Sequence, residues 1–224
     1  MSSQILNADA VLFDLDGTLL DSAPDLGFAA NQLRIARGME PLPQSHYRPF
    51  VGTGARGMLR IALGVTPEAP DFELLKEAFF VAYEQCMGQH SALFAQVPQL
   101  VAGLQAQGIA WGIVTNKSER FTLPIVQSQP VLAAAHAVVC GDTTAHSKPH
   151  PEPLLEAARR AGIAPARCIY VGDDERDMIA ARAAGMQAIA AAYGYLGGVD
   201  SVTAWKPDFI INSPLELTQL LGLA

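Results

Sequence analysis

The stretch VLFDLDGTLLDS, residues 11–22, decides how the rest of the chain reads. Its apolar half, led in by Ala10, stops abruptly at Asp14. Continuous rather than alternating apolarity marks a strand buried on both faces, the habit of a parallel sheet. The same signature returns downstream. Residues 110–114 run into Thr115-Asn116, residues 138–140 into Gly141-Asp142, and residues 168–171 into Gly172-Asp173-Asp174. Residues 187–192 and 208–211 repeat it more weakly. Between these runs lie Ala/Leu-rich stretches of helical period. Residues 98–107 close on Gly108 and 152–161 on Gly162, the C-terminal glycine signal. Strand and helix in alternation predict an α/β fold, a Rossmann-like, doubly wound, mostly parallel sheet with right-handed crossovers. Such sheets hold their sites beyond the carboxyl ends of the strands, where Asp14, Thr115 and Asp173 fall.

One segment breaks the alternation. Residues 20–92 contain no strand-like run, only helical patterns: 25–37 closed by Gly38, 54–63 closed by Gly64, and 71–87. In the last, Phe72, Leu75, Phe79, Ala82, Tyr83 and Cys86 share one face. The expected organisation is an α/β core of residues 1–19 and 93–224, interrupted by a helical cap of residues 20–92.

Composition narrows the function. The 224 residues are 50% hydrophobic and 17% charged, an ordinary globular balance that can bury a sizeable core. Fifteen Lys+Arg against 22 Asp+Glu leave a net charge of −7, without the basic footprint of a nucleic-acid or anionic-membrane binder. An anionic substrate would then need local positive charge or a metal. Three scattered cysteines without CxxC spacing argue against a disulfide framework or a zinc–cysteine site. Residues 1–9 lack a basic and apolar leader pattern, and no apolar run approaches a membrane span. A cytoplasmic monomer or homodimer is expected.

Asp14 and Asp16 stand two apart at a strand end, so the pleat can aim both carboxylates one way while Leu15 points elsewhere. Carboxylates forced together persist best around a cation or with one protonated. Gly17 and Thr18 let backbone N–H groups turn towards an anion. A carboxylate nucleophile, a second carboxylate for acid/base work and an anion cradle are parts for phosphoryl transfer through an aspartyl-phosphate. A solvated DxDG turn would carry the same letters. Thr115-Asn116-Lys117 offers a hydroxyl and amides for phosphate oxygens, with a helix N-cap as the plain alternative. Lys148, in Ser147-Lys148-Pro149-His150-Pro151, sits in a stiff loop that would hold an ammonium in place; otherwise it is a surface lysine. Gly172-Asp173-Asp174-Glu175-Arg176-Asp177 supplies hard oxygen ligands for Mg²⁺ with its waters, or acids favouring a helix N-terminus.

In this order, each at a strand end, these four segments resemble the haloacid dehalogenase (HAD) superfamily of aspartate-nucleophile phosphatases over nearly the whole chain. The resemblance implies that Asp14 is the nucleophile and a Mg²⁺ ligand. Asp16 becomes the general acid/base and lends its backbone carbonyl to the metal. Thr115 and Asn116, with Gly17, would bind the transferring phosphoryl group, and Lys148 would stabilise Asp14 and the developing charge. Asp173 is then a Mg²⁺ ligand and Asp177 a support behind it or through water, with Asp174 open between those roles. The stretch from Asp16 to Thr115 is three times that from Thr115 to Lys148, which resembles the superfamily's helical type 1 cap.

Segments LFDLDGTLLDS, VGTGARGML, IVTNKSERF, SKPHPEPLL and VGDDERDM are similar to the phosphoglycolate-phosphatase-like branch. The cap stretch with Arg56, together with HSALF, WGIVTNK and YGYL, also resembles the N-acetylmuramic acid 6-phosphate phosphatases. In that cap stretch Gly52 and Gly54 expose backbone amides, and Arg56 could clamp a second anionic group bidentately. A flexible turn with a solvent-facing arginine is the alternative. The expected activity is Mg²⁺-dependent hydrolysis of a small phosphorylated metabolite, phosphoglycolate first and a sugar 6-phosphate second. A β-phosphoglucomutase-like mutase would use the same motifs. A catalytically silent binding module is disfavoured by the joint presence of Asp14, Asp16, Lys148 and Asp173. The five histidines, His46, His90, His136, His146 and His150, read as surface residues rather than metal ligands, and Trp111, Phe79 and Phe80 as core packing.

Overall fold

A computed structural model of the chain describes residues 6–199 and 201–223. In chain order the elements are β1 (Ala10–Phe13), β2 (Leu20–Asp21), α1 (Ala23–Ile35), α2 (Gln44–Tyr47), α3 (Gly54–Leu63), α4 (Phe72–Cys86), β3 (Ala92–Leu93), α5 (Val97–Ala106), β4 (Ala110–Val114) and α6 (Glu119–Ser128). Then follow α7 (Pro130–Ala133), β5 (Ala137–Val139), α8 (Glu152–Ala161), β6 (Cys168–Gly172), α9 (Glu175–Ala183), β7 (Gln187–Ala191), β8 (Phe209–Ile211) and α10 (Pro214–Leu220).

Six strands form one sheet in the order β5-β4-β1-β6-β7-β8, every pairing parallel. The fold is the doubly wound α/β architecture with a helical cap. Within β1, Val11 and Phe13 face one apolar layer with Trp111, Ile113 and Val171. Ala10 and Leu12 face the other, with Leu154, Tyr170 and Met178. That period-2 division is why the strand is apolar at every position. Phe13 lies opposite both Ile113 and Val171, so β1, β4 and β6 end at one level. The chain leaves β1 for β4 and β5, then crosses back to β6, and the switch in strand order falls at β1.

Helices α1, α3 and α4 enclose a separate apolar cluster that includes Leu26, Tyr47, Met58, Leu59, Phe72, Leu75 and Phe79, closed by Phe121 and Tyr195 from the sheet side. Helix α3 ends at Leu63 with left-handed Gly64 as expected from the glycine signal. The crossing into and out of this region is a two-residue antiparallel pair, Leu20 opposite Leu93 and Asp21 opposite Ala92. Two residues are too few to leave a periodic signal, and residues 20–92 read as strand-free for that reason. The strand expected at 138–140 lies one residue earlier. Helix α2 and the 3-10 stretch Arg48–Thr53 lead the chain into α3. Asp25, fully buried in α1, accepts hydrogen bonds from the N–H groups of Gly88 (2.7 Å), His90 (2.9 Å) and Ser91 (3.2 Å) and from the Ser91 hydroxyl. It thereby ties the start of the cap to the segment that leaves it.

Candidate active site

Asp14 follows the last residue of β1, Lys148 lies in the loop between β5 and α8, and Asp173 and Asp177 flank the turn from β6 into α9. Level strand ends bring these separate segments together. Lys148 Nζ is 3.0 Å from Asp14 Oδ1 and 2.8 Å from Asp177 Oδ1, its side chain 2% exposed. It also donates to the carbonyl of Val114 (2.9 Å) and the hydroxyl of Tyr170 (2.8 Å). Burial alone would lower the lysine pKa, but Asp14 and Asp177 outweigh it and hold the group above its usual range. The ammonium is therefore a fixed positive charge.

Carboxylate oxygens of Asp14, Asp173 and Asp177 lie within 4.8 Å of one another. One lysine does not balance three acids. Burial, only partly opposed by Lys148 and reinforced by Asp177 and Asp16, pushes Asp14 up to about 7. Burial with the repulsion of Asp14 and Asp177 drives Asp173 well above the usual carboxylate range. A crowded, buried, all-oxygen donor set with a surplus of negative charge fits a hard divalent cation such as Mg²⁺. Asp174 stands apart from this trio. It caps α9 through the Arg176 N–H and pairs with the Arg176 guanidinium at 2.7 and 2.8 Å, which outweighs burial and lowers its pKa. Of the two aspartates left open by sequence, Asp177 joins the cluster and Asp174 turns towards the cap.

Glycines make room for this crowding. A Cβ on Gly17, whose φ is +86°, would collide with the Asp173 carboxylate, and one on Gly172 with that of Asp177. The Gly17 N–H donates to the Leu20 carbonyl at 2.9 Å. Gly17 therefore supplies space rather than the expected open anion donor, because the turn after Asp16 closes on itself. Asn116 also differs from expectation. Its side chain accepts from the Lys148 N–H and donates to the Lys148 carbonyl, both at 2.9 Å, so its amide positions the lysine loop. Thr115 is buried beside it, its hydroxyl accepting from the Lys117 N–H at 3.1 Å.

Asp16 is not one of the trio. Its carboxylate takes both oxygens to Lys117 Nζ, at 3.0 and 3.1 Å, and also accepts from the Ser22 hydroxyl. Lys117 is nearly buried and lies 4.9 Å from the centre of the Tyr83 ring in α4. Sequence reasoning missed Lys117, since a third residue in a strand-end motif gives no sign of an acid distant in sequence. The only available hint was its place directly after Thr115-Asn116.

Above these residues opens a cleft of about 830 Å³ between sheet and cap. Asp14, Asp16, Thr115, Asn116, Lys148, Asp173 and Asp177 line its floor, and Gly52, Gly54 and Arg56 its cap side. Phe72, Phe79, Phe80, Tyr83 and Phe121 form an aromatic wall, so the two phenylalanines expected only in the core also border the cleft. Arg176 reaches across it and donates to the Gly52 carbonyl at 2.5 Å. Trp111 is fully buried in the sheet layer, as expected. His146 and His150 lie on the surface, as expected, but they do not stand alone. They stand four positions apart, their rings stack with centroids 4.3 Å apart, and with Glu152 they place potential ligand atoms within 4.8 Å of one another. No described helix is long and apolar enough to cross a membrane.

Residues 11–191 match the model of the haloacid dehalogenase-like hydrolase family. The chain is 39% identical over 215 residues to an N-acetylmuramic acid 6-phosphate phosphatase of Pseudomonas aeruginosa, covering 96% of this chain and 95% of that one. It is 43% identical over 208 residues to a phosphoglycolate phosphatase of Xanthomonas campestris, covering 93% and 94%. The crystal structure of a predicted phosphoglycolate phosphatase from Haemophilus somnus superposes with a TM-score of 0.83 at 25% identity, covering 98% of this chain and 99% of that one.

Proposed function

This chain belongs to the haloacid dehalogenase-like hydrolase family, and from that premise we propose that it is a Mg²⁺-dependent phosphomonoester hydrolase working through an aspartyl-phosphate on Asp14. The observation that carries this reading is the convergence of Asp14, Lys148, Asp173 and Asp177 in one buried nest on the floor of a capped cleft. Asp14, Asp173 and Asp177 would hold Mg²⁺, which when bound offsets the clustered carboxylates and the charge of the phosphate.

An Asp14 carboxylate oxygen attacks phosphorus in line, the bond from phosphorus to the alcohol oxygen breaks, and Asp16 gives its proton to that oxygen. Water then attacks the same phosphorus. Asp16 takes up its proton, and the bond to Asp14 breaks to release inorganic phosphate. Lys148 keeps Asp14 oriented and stabilises the growing charge, while Thr115 donates to a phosphoryl oxygen. Lys117 holds Asp16 beside the cleft, and the cap keeps bulk water from the acyl-phosphate.

For the leaving group, the cleft favours the larger candidate. Its volume of about 830 Å³ is in the range that encloses a drug-sized ligand, more than a two-carbon acid fills. Its aromatic wall suits the carbon face of a sugar ring, and Arg56 and Lys76 border it as cations for a carboxylate. An N-acetylmuramic acid 6-phosphate carries both features; phosphoglycolate offers only the carboxylate. The test is phosphate release from a panel holding these two esters with glucose 1- and 6-phosphates, in Mg²⁺ and in EDTA. Release only in Mg²⁺, fastest for the sugar acid, is the expected result. Absence of release from every ester would overturn the hydrolase reading. Conversion of glucose 1-phosphate to the 6-phosphate without phosphate release would make the protein a mutase.

A further inference from the structure

The geometry points to a second metal site, for a borderline transition ion such as Zn²⁺, formed by His146, His150 and Glu152 on the outer face of the loop that carries Lys148. The loop has two faces. Lys148 turns inward to Asp14 and Asp177, whereas the side chains of His146 and His150 are 61% and 50% exposed. Glu152, the first residue of α8, lies against both: its Oε2 is 2.8 Å from His146 Nδ1 and 3.9 Å from His150 Nδ1. The backbone N–H of His146 also donates to that oxygen, at 3.1 Å. The Glu152 N–H in turn donates to His150 Nδ1 at 3.2 Å.

These contacts hold two imidazoles and a carboxylate around one point without any ion. The backbone beneath is restrained as well, by Pro149 and Pro151 and by the two-point clamp of Asn116 on Lys148. A tetrahedral zinc needs donors about 3.3 Å apart, and the three ligand atoms already lie within 4.8 Å of one another on side chains exposed enough to adjust. Two nitrogens and one oxygen, with a fourth position open to water, select Zn²⁺, Cu²⁺ or Ni²⁺ over Mg²⁺, which demands oxygen. The chain thus offers two donor sets of different hardness, one on each side of the Lys148 backbone. An ion on the outer set would tie down the loop on both sides of the lysine.

Tag-free full-length protein in excess Mg²⁺ tests this by titration with Zn²⁺ against a chromophoric chelator, with Co²⁺ absorption as the geometric readout. Wild type should retain one Zn²⁺ that Mg²⁺ does not displace, and should give the strong visible bands of four-coordinate Co²⁺. The exposed double variant His146→Gln/His150→Gln should fold normally and lose affinity by about tenfold or more. Asp173→Asn, on the other face of the loop, should keep the Zn²⁺. Identical titrations of wild type and double variant would overturn the site. So would loss of the bound Zn²⁺ in Asp173→Asn, since the ion would then belong to the acid cluster.

Discussion

The floor of the cleft and its cap side are built to different standards. On the floor, Lys148 has four polar neighbours and Asp173 receives the Thr18 hydroxyl at 3.2 Å and the Tyr195 N–H at 2.7 Å. Glycines there leave no room to spare. On the cap side Arg56 is exposed, and Gly54 has open space where a side chain would be. On the function proposed above, the groups that react are held by burial and mutual charge, while recognition is left to a surface that the substrate itself must complete. Arg176 joins the two regions, gripping Asp174 at the start of α9 and the Gly52 carbonyl on the cap.

The comparison breaks most sharply at Asp14. Asp14→Asn should lower turnover on the order of 10³-fold or more in the phosphate-release assay, with a circular-dichroism melt close to wild type. An unchanged rate would remove Asp14 as nucleophile. Lys148→Met should cost activity and stability together, because Asp177 and Asp14 lose a buried counter-charge. About 3–5 kcal/mol is expected in chemical denaturation. Next comes Lys117→Met, which frees Asp16 and should reduce kcat by about 10- to 100-fold while leaving KM near wild type. A KM effect of equal size would instead make Lys117 a substrate contact.

Metal removal gives a smaller effect with a definite sign. Asp14 has its folded-state pKa raised to about 7, so the charged form is disfavoured on folding and the resulting loss of stability grows as pH rises from about 4 to 7. Below 7 a Mg²⁺ ion must displace that proton, and one from Asp173, whose carboxyl is raised as well, so its affinity should fall by at least about tenfold for each pH unit of acidification. The rise in melting temperature on adding Mg²⁺ should therefore be larger at pH 8 than at pH 5.5. Arg56→Ala, on the cap side, should change least. KM rises about tenfold for an ester bearing a carboxylate, with kcat and melting temperature unaltered. A loss of stability there would show that the cap side is as tightly built as the floor.

Much of this was legible in the residues alone. Apolar runs ending in Asp14, Thr115 and Asp173 located three strand ends, since burial on both faces leaves an unbroken signature. Glycines closing α3, α5 and α8 marked helix ends because the left-handed turn favours them. Asp25 gave no such sign. Its importance comes from the N–H groups of Gly88, His90 and Ser91, which are more than sixty positions away in the chain. Lys117 and Arg176 were missed for a related reason: a charged letter does not reveal which partner will face it.

Local pattern therefore specified the layers, the helix ends and the aspartates that stand at the sheet's edge, because periodicity and backbone preference act within a few residues. Folding alone settled the rest: Asp177 rather than Asp174 entered the acid nest, Asp16 found Lys117, and an aromatic wall rose over the cleft. Those outcomes depend on which side chains meet across the sheet and cap, where charge and close packing act between residues far apart in sequence.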